Sequence, residues 1–436
     1  DVPALREEPF MTSPRDYRAS LQLQLSSYYS STFGLTPLNN TWEQLAESLE
    51  DLPRWRDYVD TKNVVEKRTE EVIAASSTDE EKLAAIHEHL RSTISWDGSH
   101  TFIPFQSPGD LLKTNRGTVA EINMMLVSMC RAAGLEAYPV LLSTRSHGRV
   151  VVAYPLLDQF DYLVAAVKIS GTMLLVDATD PHRPYTMLPG RALNGSGWLV
   201  RENDPKWIDF QSEDAYQRAI QVTASIDDEG TVDGQFELVD TGYRAVRTRR
   251  VLEKDDDELV RTDILESTKA QLGTYTVAAR DSILNPVRLS GEFTLPSYAQ
   301  VAGDFIYVNP QLLERWEDNP LRPAERRFPV DFTYARKSHF RLVLSIPEGY
   351  EVVEVPSNVR FSPESGGGLF SRTVMSDGRQ IVMDTRFNII RTVFKPNQYR
   401  HIRAFFERVV KSQGAQLVLR RAAEDETEGQ TAEIDS

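Results

Sequence analysis

The stretch from Gly117 to Gly134 (GTVAEINMMLVSMCRAAG) constrains the fold of this chain more than any other. Apolar side chains recur along it at the spacing of a core-facing helix: Ile122, Met125, Leu126, Met129 and Cys130. Gly134 is a typical glycine at the end of a helix, and the following Tyr138 to Ser143 (YPVLLS) has the composition of a buried strand. The pattern therefore predicts a helix that begins just after Gly117 and packs on a strand.

Three segments resemble the transglutaminase-like, papain-like superfamily: 107–148, 160–169 and 174–200. The resemblance is closest to a bacterial branch, common in Bacteroidota, in which an N-terminal β domain of unknown function precedes the core and a β-rich domain follows. It implies an α+β fold. A papain/transglutaminase-like core, with a helix packed on an antiparallel sheet, would precede a β-rich domain with a few helices.

The resemblance also identifies three positions that matter for catalysis. The start of a helix suits a thiol nucleophile, because its N–H groups lower the thiol pKa and can stabilise an oxyanion. In the family, the catalytic Cys, His and Asp would align with Val119, Tyr162 and Asp177. Valine has no lone pair, and a tyrosine, with a reference pKa of about 10, is a poor base at neutral pH. The resemblance thus implies a catalytically degenerate domain, and we expect no cofactor.

Further residues near these three positions are candidates to line a binding cleft. They are Trp96, His100, Gly117, Thr118, Glu121, Asn123, Arg145, His147, Asp180 and His182. Glu121 lies in the first turn of the predicted helix, where a carboxylate interacts favourably with the helix dipole. Trp96 and His100 either line the cleft or simply cover the core, as aromatic side chains mostly do.

Two of these groups allow more than one interpretation. Arg145, His147 and Arg149 form a basic spot that would contact an anion or a carboxylate, or would simply be solvated. Asp177, Asp180 and His182 have ligand types suited to a metal. The simpler interpretation is that Asp177 hydrogen-bonds Tyr162 and that Asp180 opens a turn. We therefore predict no metal site.

Composition limits the classes of function. The net charge of −15 argues against nucleic acids and anionic membrane surfaces as partners. No apolar run has the length of a membrane span, and none has the shape of a signal peptide. A single cysteine, Cys130, excludes an internal disulfide and any cysteine-based metal site, and its helical position predicts an inert core thiol. The family resemblance implies an extracytoplasmic location, in the periplasm or at the cell surface.

The length of 436 residues predicts two or three domains. We expect the terminal strand of a mostly absent N-terminal β domain at 1–40, a transglutaminase-like core at 41–205, a β-rich domain at 206–421 and an acidic, disordered tail at 422–436. The alternating residues 18–29 would form that terminal strand or add to the edge of the C-terminal β domain.

Secondary structure follows from the same patterns. Helices are predicted at 42–49, 54–75, 78–94, 242–254, 257–273 and 399–411. Strands are predicted at 138–143, 149–153, 162–169, 173–177, 217–225, 231–239 and 416–419, and repeatedly between 274 and 394. Residues 202–214 are expected to be a linker, and the basic 334–339 (YARKSH) a solvated turn. The hairpin at Ser170-Gly171 is expected to bring Tyr162 opposite Asp177.

Three functions remain open at this point. The first is a non-catalytic protein that binds a peptide, a glycan or a partner protein in the degenerate cleft. The second is an architectural spacer in a cell-surface or periplasmic protein. The third is a hydrolase with a relocated acidic or metal-dependent site, built from Glu121, Asp177, Asp180 or His182.

Overall fold

The computed structural model describes residues 5–19, 21, 25–32, 34–37, 41–60, 62–201, 206–210, 212–265 and 270–422. The chain forms two compact units. The first contains the described residues up to Asp214 together with Arg326–Tyr334 and Thr392–Pro396; the second contains the remaining residues from Ala215 onward. Helices and strands are mixed in both units, and the predicted α+β class is confirmed.

The α-helices are α1 Trp42–Glu50, α2 Pro53–Val59, α3 Lys62–Ile73, α4 Asp79–Thr93, α5 Pro108–Thr114, α6 Val119–Ala132, α7 Gly242–Glu253, α8 Asp257–Leu259 and α9 Tyr399–Gln413. The strands are β1 Ser27–Ser30, β2 Gly34–Pro37, β3 Ser95–Trp96, β4 Arg116–Gly117, β5 Ala137–Leu142, β6 Tyr162–Ile169, β7 Thr172–Val176, β8 Ser196–Leu199, β9 Lys206–Asp209, β10 Ala215–Ile226, β11 Val232–Thr241, β12 Gln271–Ala278, β13 Val287–Leu295, β14 Gln300–Ala302, β15 Phe305–Val308, β16 Val330–Asp331, β17 Ala335–Ser345, β18 Tyr350–Glu354, β19 Val359–Phe361, β20 Gly368–Ser376, β21 Gln380–Ile389, β22 Val393–Phe394 and β23 Leu417–Arg421.

Helix α6 is the centre of the first unit. Every residue from Val119 to Cys130 is buried, so the helix is enclosed on all sides. It lies against an antiparallel sheet with the strand order β7-β6-β5-β8-β9. Helices α2, α3 and α4 also contact α6. The helix packed on an antiparallel sheet is thus present as predicted.

The two ends of α6 follow from local sequence. The Thr118 hydroxyl accepts a hydrogen bond from the Glu121 N–H at 3.3 Å, and the Glu121 carboxylate accepts one from the Thr118 N–H at 2.8 Å. This is a capping box, which satisfies two N–H groups of the first turn. At the other end Gly134 takes a φ of +82°, which favours glycine, and the Leu135 N–H donates to the Cys130 carbonyl at 2.9 Å.

The strand predicted at 149–153 is wrong. These residues are irregular, and the side chain of Val151 is 47% exposed. Both edges of β5, the strand that precedes it, are already paired, with β6 on one side and β8 on the other, so the segment cannot form a hairpin with β5. Its Val151 N–H instead donates to the side chain of Gln159 at 2.6 Å.

Three further expectations for the first unit are corrected. The predicted linker contains β9, which pairs with β8 and completes the sheet. The helix predicted at 54–75 is two helices, because Asp60 leaves the helical conformation after Val59, and aspartate side chains compete for backbone hydrogen bonds. Where the structure describes the segment 18–29, its last three residues belong to β1, and this strand pairs with β2 rather than with a larger sheet. The prediction rested on the alternation of apolar and polar residues, which does not show whether a partner strand is present for the described residues before Ser27.

The second unit is built on an eight-stranded sheet with the order β12-β13-β11-β10-β17-β21-β20-β19. Its pairs are antiparallel except for β10 and β17, which run parallel. The inward side chains of the sheet form one apolar core with those of a four-stranded sheet, β14-β15-β23-β18. Residues 334–339 are not a turn, since Ala335 begins β17, which pairs along its length with both β10 and β21.

The helix predicted at 257–273 is also shorter than expected. Asp257–Leu259 is α-helical and Val260–Ile264 is a π-helix, but Gln271 already begins β12. Alternating residues from Gln271 find a partner in β13, and pairing there outweighs the helical pattern before it. The predicted disordered tail lies outside the described residues except for Ala422. No helix in the described ranges is both long and apolar enough to span a membrane.

Candidate functional site

The three positions to which the family resemblance assigns a catalytic triad, here called the triad positions, come together beside the start of α6. Val119 and Tyr162 belong to one apolar cluster, and both side chains are fully buried. The Tyr162 hydroxyl donates to Asp177 Oδ2 at 2.8 Å. The prediction that these two residues lie opposite each other as cross-strand partners is wrong, because the pairing of β6 with β7 begins at Ala165 and Val176. Their contact depends on the reach of the side chains beyond the end of the ladder.

Asp177 is the centre of a buried ion network. Its Oδ1 accepts hydrogen bonds from the Thr179 N–H at 2.9 Å, from the Thr179 hydroxyl at 2.6 Å and from Arg183 Nη2 at 2.8 Å. Arg183 also pairs with Asp180 at 3.2 Å, and all three charged side chains are buried. Burial alone would raise the pKa of Asp177, but the Arg183 charge and the Thr179 hydrogen bonds hold it below its usual range.

Arg191 covers the Tyr162 hydroxyl. Its Nε donates to that oxygen at 3.2 Å, and its Nη2 donates to the Thr179 hydroxyl at 3.4 Å. The guanidinium lies 4.2 Å from the ring centre of Trp96, within the range of a cation–π contact. Burial, followed by the nearby Asp177 charge, raises the pKa of Tyr162 well above its usual value. Tyr162 is therefore a neutral hydrogen-bonding group at physiological pH.

The N–H groups of Val119 and Glu121, in the first turn of α6, both donate to groups within the chain. The Val119 N–H donates to the Ser99 carbonyl at 3.4 Å. The Glu121 carboxylate accepts hydrogen bonds from the Phe105 and Gln106 N–H groups at 2.9 and 2.8 Å, besides that from Thr118. Burial alone would raise the pKa of Glu121, but the hydrogen bonds from Gln106, Thr118 and Phe105 lower it overall. Glu121 anchors a loop and does not face an open cleft.

Gly117 and Asn123 have similar packing roles. A Cβ at Gly117 would lie 2.5 Å from Leu111 Cδ1, so only glycine fits there without a shift. Asn123 is fully buried; its Nδ2 donates to the Leu163 carbonyl at 2.8 Å and its Oδ1 accepts from the Ala178 N–H at 3.0 Å. This side chain ties α6 to β6 and to the residues that follow β7.

Trp96 and His100 are the candidates that lie closest to the surface. Their rings stack with centroids 5.5 Å apart, and the His100 ring meets the Tyr162 ring edge-on at 5.4 Å. The His100 side chain is 32% exposed and lies 3.7 Å from the Asp161 carboxylate. Together with Arg191 these rings form a rim that closes over Tyr162.

The basic spot serves contacts within the unit. Arg145 Nη1 donates to Asp331 Oδ2 at 3.0 Å and to the Leu193 carbonyl at 3.2 Å. His147 Nδ1 lies 3.0 Å from the Ser143 hydroxyl. The carboxylate that Arg145 contacts therefore belongs to the chain itself, in the short β16 segment.

Asp180 and His182 do not build a metal site with Asp177. Asp180 Oδ1 accepts from the His182 N–H at 3.0 Å, the turn that the sequence predicted, while its Oδ2 pairs with Arg183. Arg183 thus supplies a cation from the chain between the two aspartates. Among the residues with described positions, no group of three His, Cys, Asp or Glu side chains is arranged to hold a metal ion.

Sequence reasoning missed four groups that complete this arrangement: Ser99, Thr179, Arg183 and Arg191. Arg183 could have been noticed, because it follows Asp180 by three residues, a spacing that turns often use for ion pairs. Arg191 carries no comparable signal, since it reaches Tyr162 only after the long loop from 181 to 195 has folded back.

Comparisons with known proteins agree with this fold. The model of the transglutaminase-like superfamily matches residues 66–178, and that of a domain of unknown function with solved structure, DUF3858, matches residues 304–419. The crystal structure of a putative protease from Parabacteroides distasonis is 11% identical, with a TM-score of 0.50 over 92% of this chain and 63% of that chain. This chain therefore spans less than two thirds of that protein. No curated protein matches the sequence.

At 11% identity the structural likeness establishes the fold alone, and the family models establish which parts of the chain carry it. The transglutaminase-like resemblance of the α6 region is thereby confirmed. The chain contains a transglutaminase-like domain, followed in its C-terminal half by a DUF3858 domain.

Proposed function

We propose that the transglutaminase-like domain of this chain is non-catalytic and serves as an architectural module. The observation that carries the proposal is the complete burial of Val119 at the position of the nucleophile. A valine side chain can neither attack a carbonyl nor bind a metal. The position that would have to contact a substrate is packed against the apolar side chains of the sheet.

The other two triad positions support the same proposal. A general base must exchange protons near neutral pH. The Tyr162 hydroxyl instead keeps its proton and uses it to donate a hydrogen bond to Asp177. The Asp177 carboxylate is saturated by Thr179, Arg183 and Tyr162, so it has no free lone pair directed at a ligand. The network has the composition of a structural ion cluster.

An architectural role is favoured over ligand binding in the degenerate cleft because the chain fills that cleft. Ser99 occupies the Val119 N–H, Arg191 covers Tyr162, and Trp96 lies against Arg191. A ligand would have to displace these contacts before it reached the triad positions. The domain instead holds segments that are remote in sequence, such as β16 through Arg145 and Asp331.

The protease description of the Parabacteroides distasonis protein concerns that protein and is not extended to this chain. A shared fold hosts unrelated functions, and activity has to be argued from the site. We further propose that the module belongs to an extracytoplasmic protein, as the family resemblance implies. Fractionation of the producing cells into cytoplasm, periplasm and surface would test that location.

The proposal is tested by activity assays on the purified full chain. We expect neither hydrolysis of a peptide library nor incorporation of a fluorescent primary amine into glutamine-containing casein. Asp177→Ala, prepared identically, serves as the matched control for contaminating enzymes. An activity of the wild-type chain that disappears in Asp177→Ala would overturn the proposal.

A restoration experiment separates a sealed site from an open one. The double variant Val119→Cys/Tyr162→His returns the thiol and imidazole that the family uses. If the cleft is filled, this variant stays inactive. Hydrolysis or transamidation by the double variant would show that substrate reaches the site, and the architectural role would then give way to ligand binding in the cleft.

A further inference from the structure

The second unit has two adjoining grooves on the solvent side of its eight-stranded sheet, far along the chain from the triad positions. Their volumes are about 330 and 490 Å³. Both are lined by Thr223 of β10, Gln235 of β11 and Glu292 of β13, so they form one continuous depression that crosses the strands. Volumes of this size are typical of sites for small ligands.

The side chains that point outward into this depression are short and polar. Seven are serines or threonines: Thr223, Ser225, Thr274, Thr276, Ser290, Thr294 and Ser345. Amides and carboxylates make up most of the remainder, with Gln221 and Gln235 on one hand and Asp233, Glu237 and Glu292 on the other. Within the described part of the chain, neither groove is lined by a lysine or an arginine.

The other half of the solvent face differs in its charge. Over β17, β20 and β21 the outward positions include Ser371 and Thr373, but also the cations Lys337, Arg341 and Arg386 and the aliphatic Val343, Met375 and Val382. Neither cations nor long aliphatic side chains line the two grooves where the structure describes them. The combination of hydroxyls, amides and carboxylates without a cation therefore distinguishes the depression from the rest of the sheet face.

A β-bulge shapes the floor of the depression. The register of β12 against β13 shifts between Leu272 and Tyr275, so that Gly273 and Thr274 lie opposite Glu292. A Cβ at Gly273 would lie 3.1 Å from the Glu292 Cβ, which is tighter than ordinary contact. Bulges of this kind re-aim side chains and are common beside binding sites. Here the bulge turns Thr274 into the groove that Glu292 lines.

The outward side chains also orient one another. The Thr276 and Ser290 hydroxyls lie 2.9 Å apart, and the Thr294 hydroxyl donates to Asp233. The Gln235 amide lies 3.5 Å from Glu292 Oε1. These contacts hold an alternating set of donors and acceptors in place across the strands, which lowers the ordering cost of binding a ligand.

We propose that this depression binds a neutral oligosaccharide. The carboxylates only accept hydrogen bonds, whereas the hydroxyls and amides both donate and accept, so a ligand rich in hydroxyl groups can satisfy all of them. Three carboxylates without a lining cation repel anionic polymers. The lack of outward aliphatic side chains in the depression disfavours an apolar peptide or a lipid. The inference is independent of the proposed architectural role of the first unit.

The test is electrophoresis of the full chain in native gels that contain one soluble neutral polysaccharide each: a β-glucan, a xylan, a mannan or glycogen. An anionic polymer, alginate, is included as a comparison. We expect retardation by at least one neutral polymer and none by alginate. Titration calorimetry with the matching oligosaccharide then gives the affinity.

A pair of matched variants locates the binding site. Thr223→Trp places a large ring in both grooves, while Thr373→Trp changes an equally exposed threonine of β20, outside them. We expect Thr223→Trp to weaken binding by at least about tenfold and Thr373→Trp to leave it unchanged. Glu292→Ala, which removes an acceptor without adding bulk, should weaken binding in the same direction.

Three results would overturn the proposal. They are the absence of retardation in every neutral polymer, equal binding by wild type and Thr223→Trp, and binding of a lysine-rich peptide in place of any saccharide. The thermal unfolding midpoint of each variant is measured alongside, so that a loss of binding is not confused with a loss of fold. Because the triad positions are untouched by these variants, failure here leaves the proposed function of the first unit unaffected.

Discussion

Two buried ion networks, one in each unit, are chemically alike but arise in different ways. In the first unit, Asp177, which the family resemblance aligns with a catalytic aspartate, binds Arg183, Thr179 and Tyr162. In the second unit, Asp240 binds Arg218 through both carboxylate oxygens, at 2.7 and 2.8 Å, and accepts from Thr248 at 2.6 Å. Both carboxylates are fully buried.

The two networks differ in their origin. Arg218 and Asp240 are direct cross-strand partners on β10 and β11, so the hairpin register alone brings them together. Asp177, Arg183 and Arg191 meet only because the loop after β7 folds back over the sheet. Buried ion pairs perturb pKa values in structural clusters as well as in active sites. A buried aspartate at a triad position is therefore weak evidence for catalysis. Whether a substrate can reach the neighbouring side chains distinguishes a catalytic cluster from a structural one.

The largest effect is expected in the second unit. Asp240→Ala removes a buried carboxylate from Arg218 and Arg244, two buried arginines that also lie near Glu314. Breaking a buried ion pair in this way costs about 3–5 kcal/mol. Urea denaturation should show this loss, whereas Glu237→Ala, an exposed carboxylate on the same strand, should change stability by less than about 0.5 kcal/mol. Equal stability of the two variants would refute a structural role for Asp240.

Asp177→Ala should have the next largest effect. Arg183 keeps its second partner, Asp180, so we expect a loss of about 3 kcal/mol, at the lower end for broken buried pairs. The exposed Asp158→Ala is the matched control, and urea denaturation is the measurement. Stabilisation of the chain by Asp177→Ala would contradict this prediction. It would indicate that Asp177 is kept for a function, because functional residues often reduce stability. The Asp177 and Asp240 networks would then differ in their role, functional against structural, as well as in their origin.

Tyr162→Phe isolates the hydrogen bonds of the hydroxyl. The change removes a donor to Asp177 and an acceptor for Arg191 while keeping the ring in the apolar cluster. A buried polar group left without its partner costs about 1–3 kcal/mol, and we expect about 2. Tyr154→Phe, at an exposed tyrosine, should be neutral in the same thermal or urea titration. A neutral Tyr162→Phe would mean that water reaches Asp177.

Val119→Cys should have the smallest effect on stability, less than about 1.5 kcal/mol, since a buried valine is replaced by a side chain of similar size. Its main use is as a probe of access. The native Cys130 thiol is buried, and burial raises its pKa, so we expect wild type to react with a thiol reagent only after unfolding.

The Val119→Cys variant should then show no fast thiol in the native state and two thiols in denaturant. Thr172→Cys, at an exposed strand position, provides the control for a reactive thiol. Rapid labelling of the thiol introduced at position 119 would demonstrate an open cleft. That result would remove the main difference between this site and an active one.

Much of the first unit could be predicted from local sequence. The spacing of apolar residues defines α6, the Thr118 and Glu121 pair defines its start, and Gly134 defines its end, because each signal acts within one or two turns of the chain. The Ser170-Gly171 turn likewise fixes the β6–β7 hairpin, with φ of +49° and +84° at its two residues. The resemblance then placed Tyr162 and Asp177 near each other.

Two of the failures share one physical cause. Residues 149–153 look like a strand, and 334–339 look like a turn, but whether a segment pairs depends on a free sheet edge that only the assembled sheet provides. Likewise, Arg145 looked available to a ligand until β16 supplied Asp331 from almost two hundred residues away. Contacts between segments so distant leave no periodic signal.

The sequence by itself thus determined most elements of the core, and the family resemblance led us to expect Val119 and Tyr162 at the positions of the two reactive side chains. Only the tertiary structure decided whether those positions face a substrate, because access depends on Ser99, Arg191 and Trp96, which reach them from separate loops. It likewise decided that polar residues of five neighbouring strands share one depression, since the strand order determines which side chains are neighbours across a sheet.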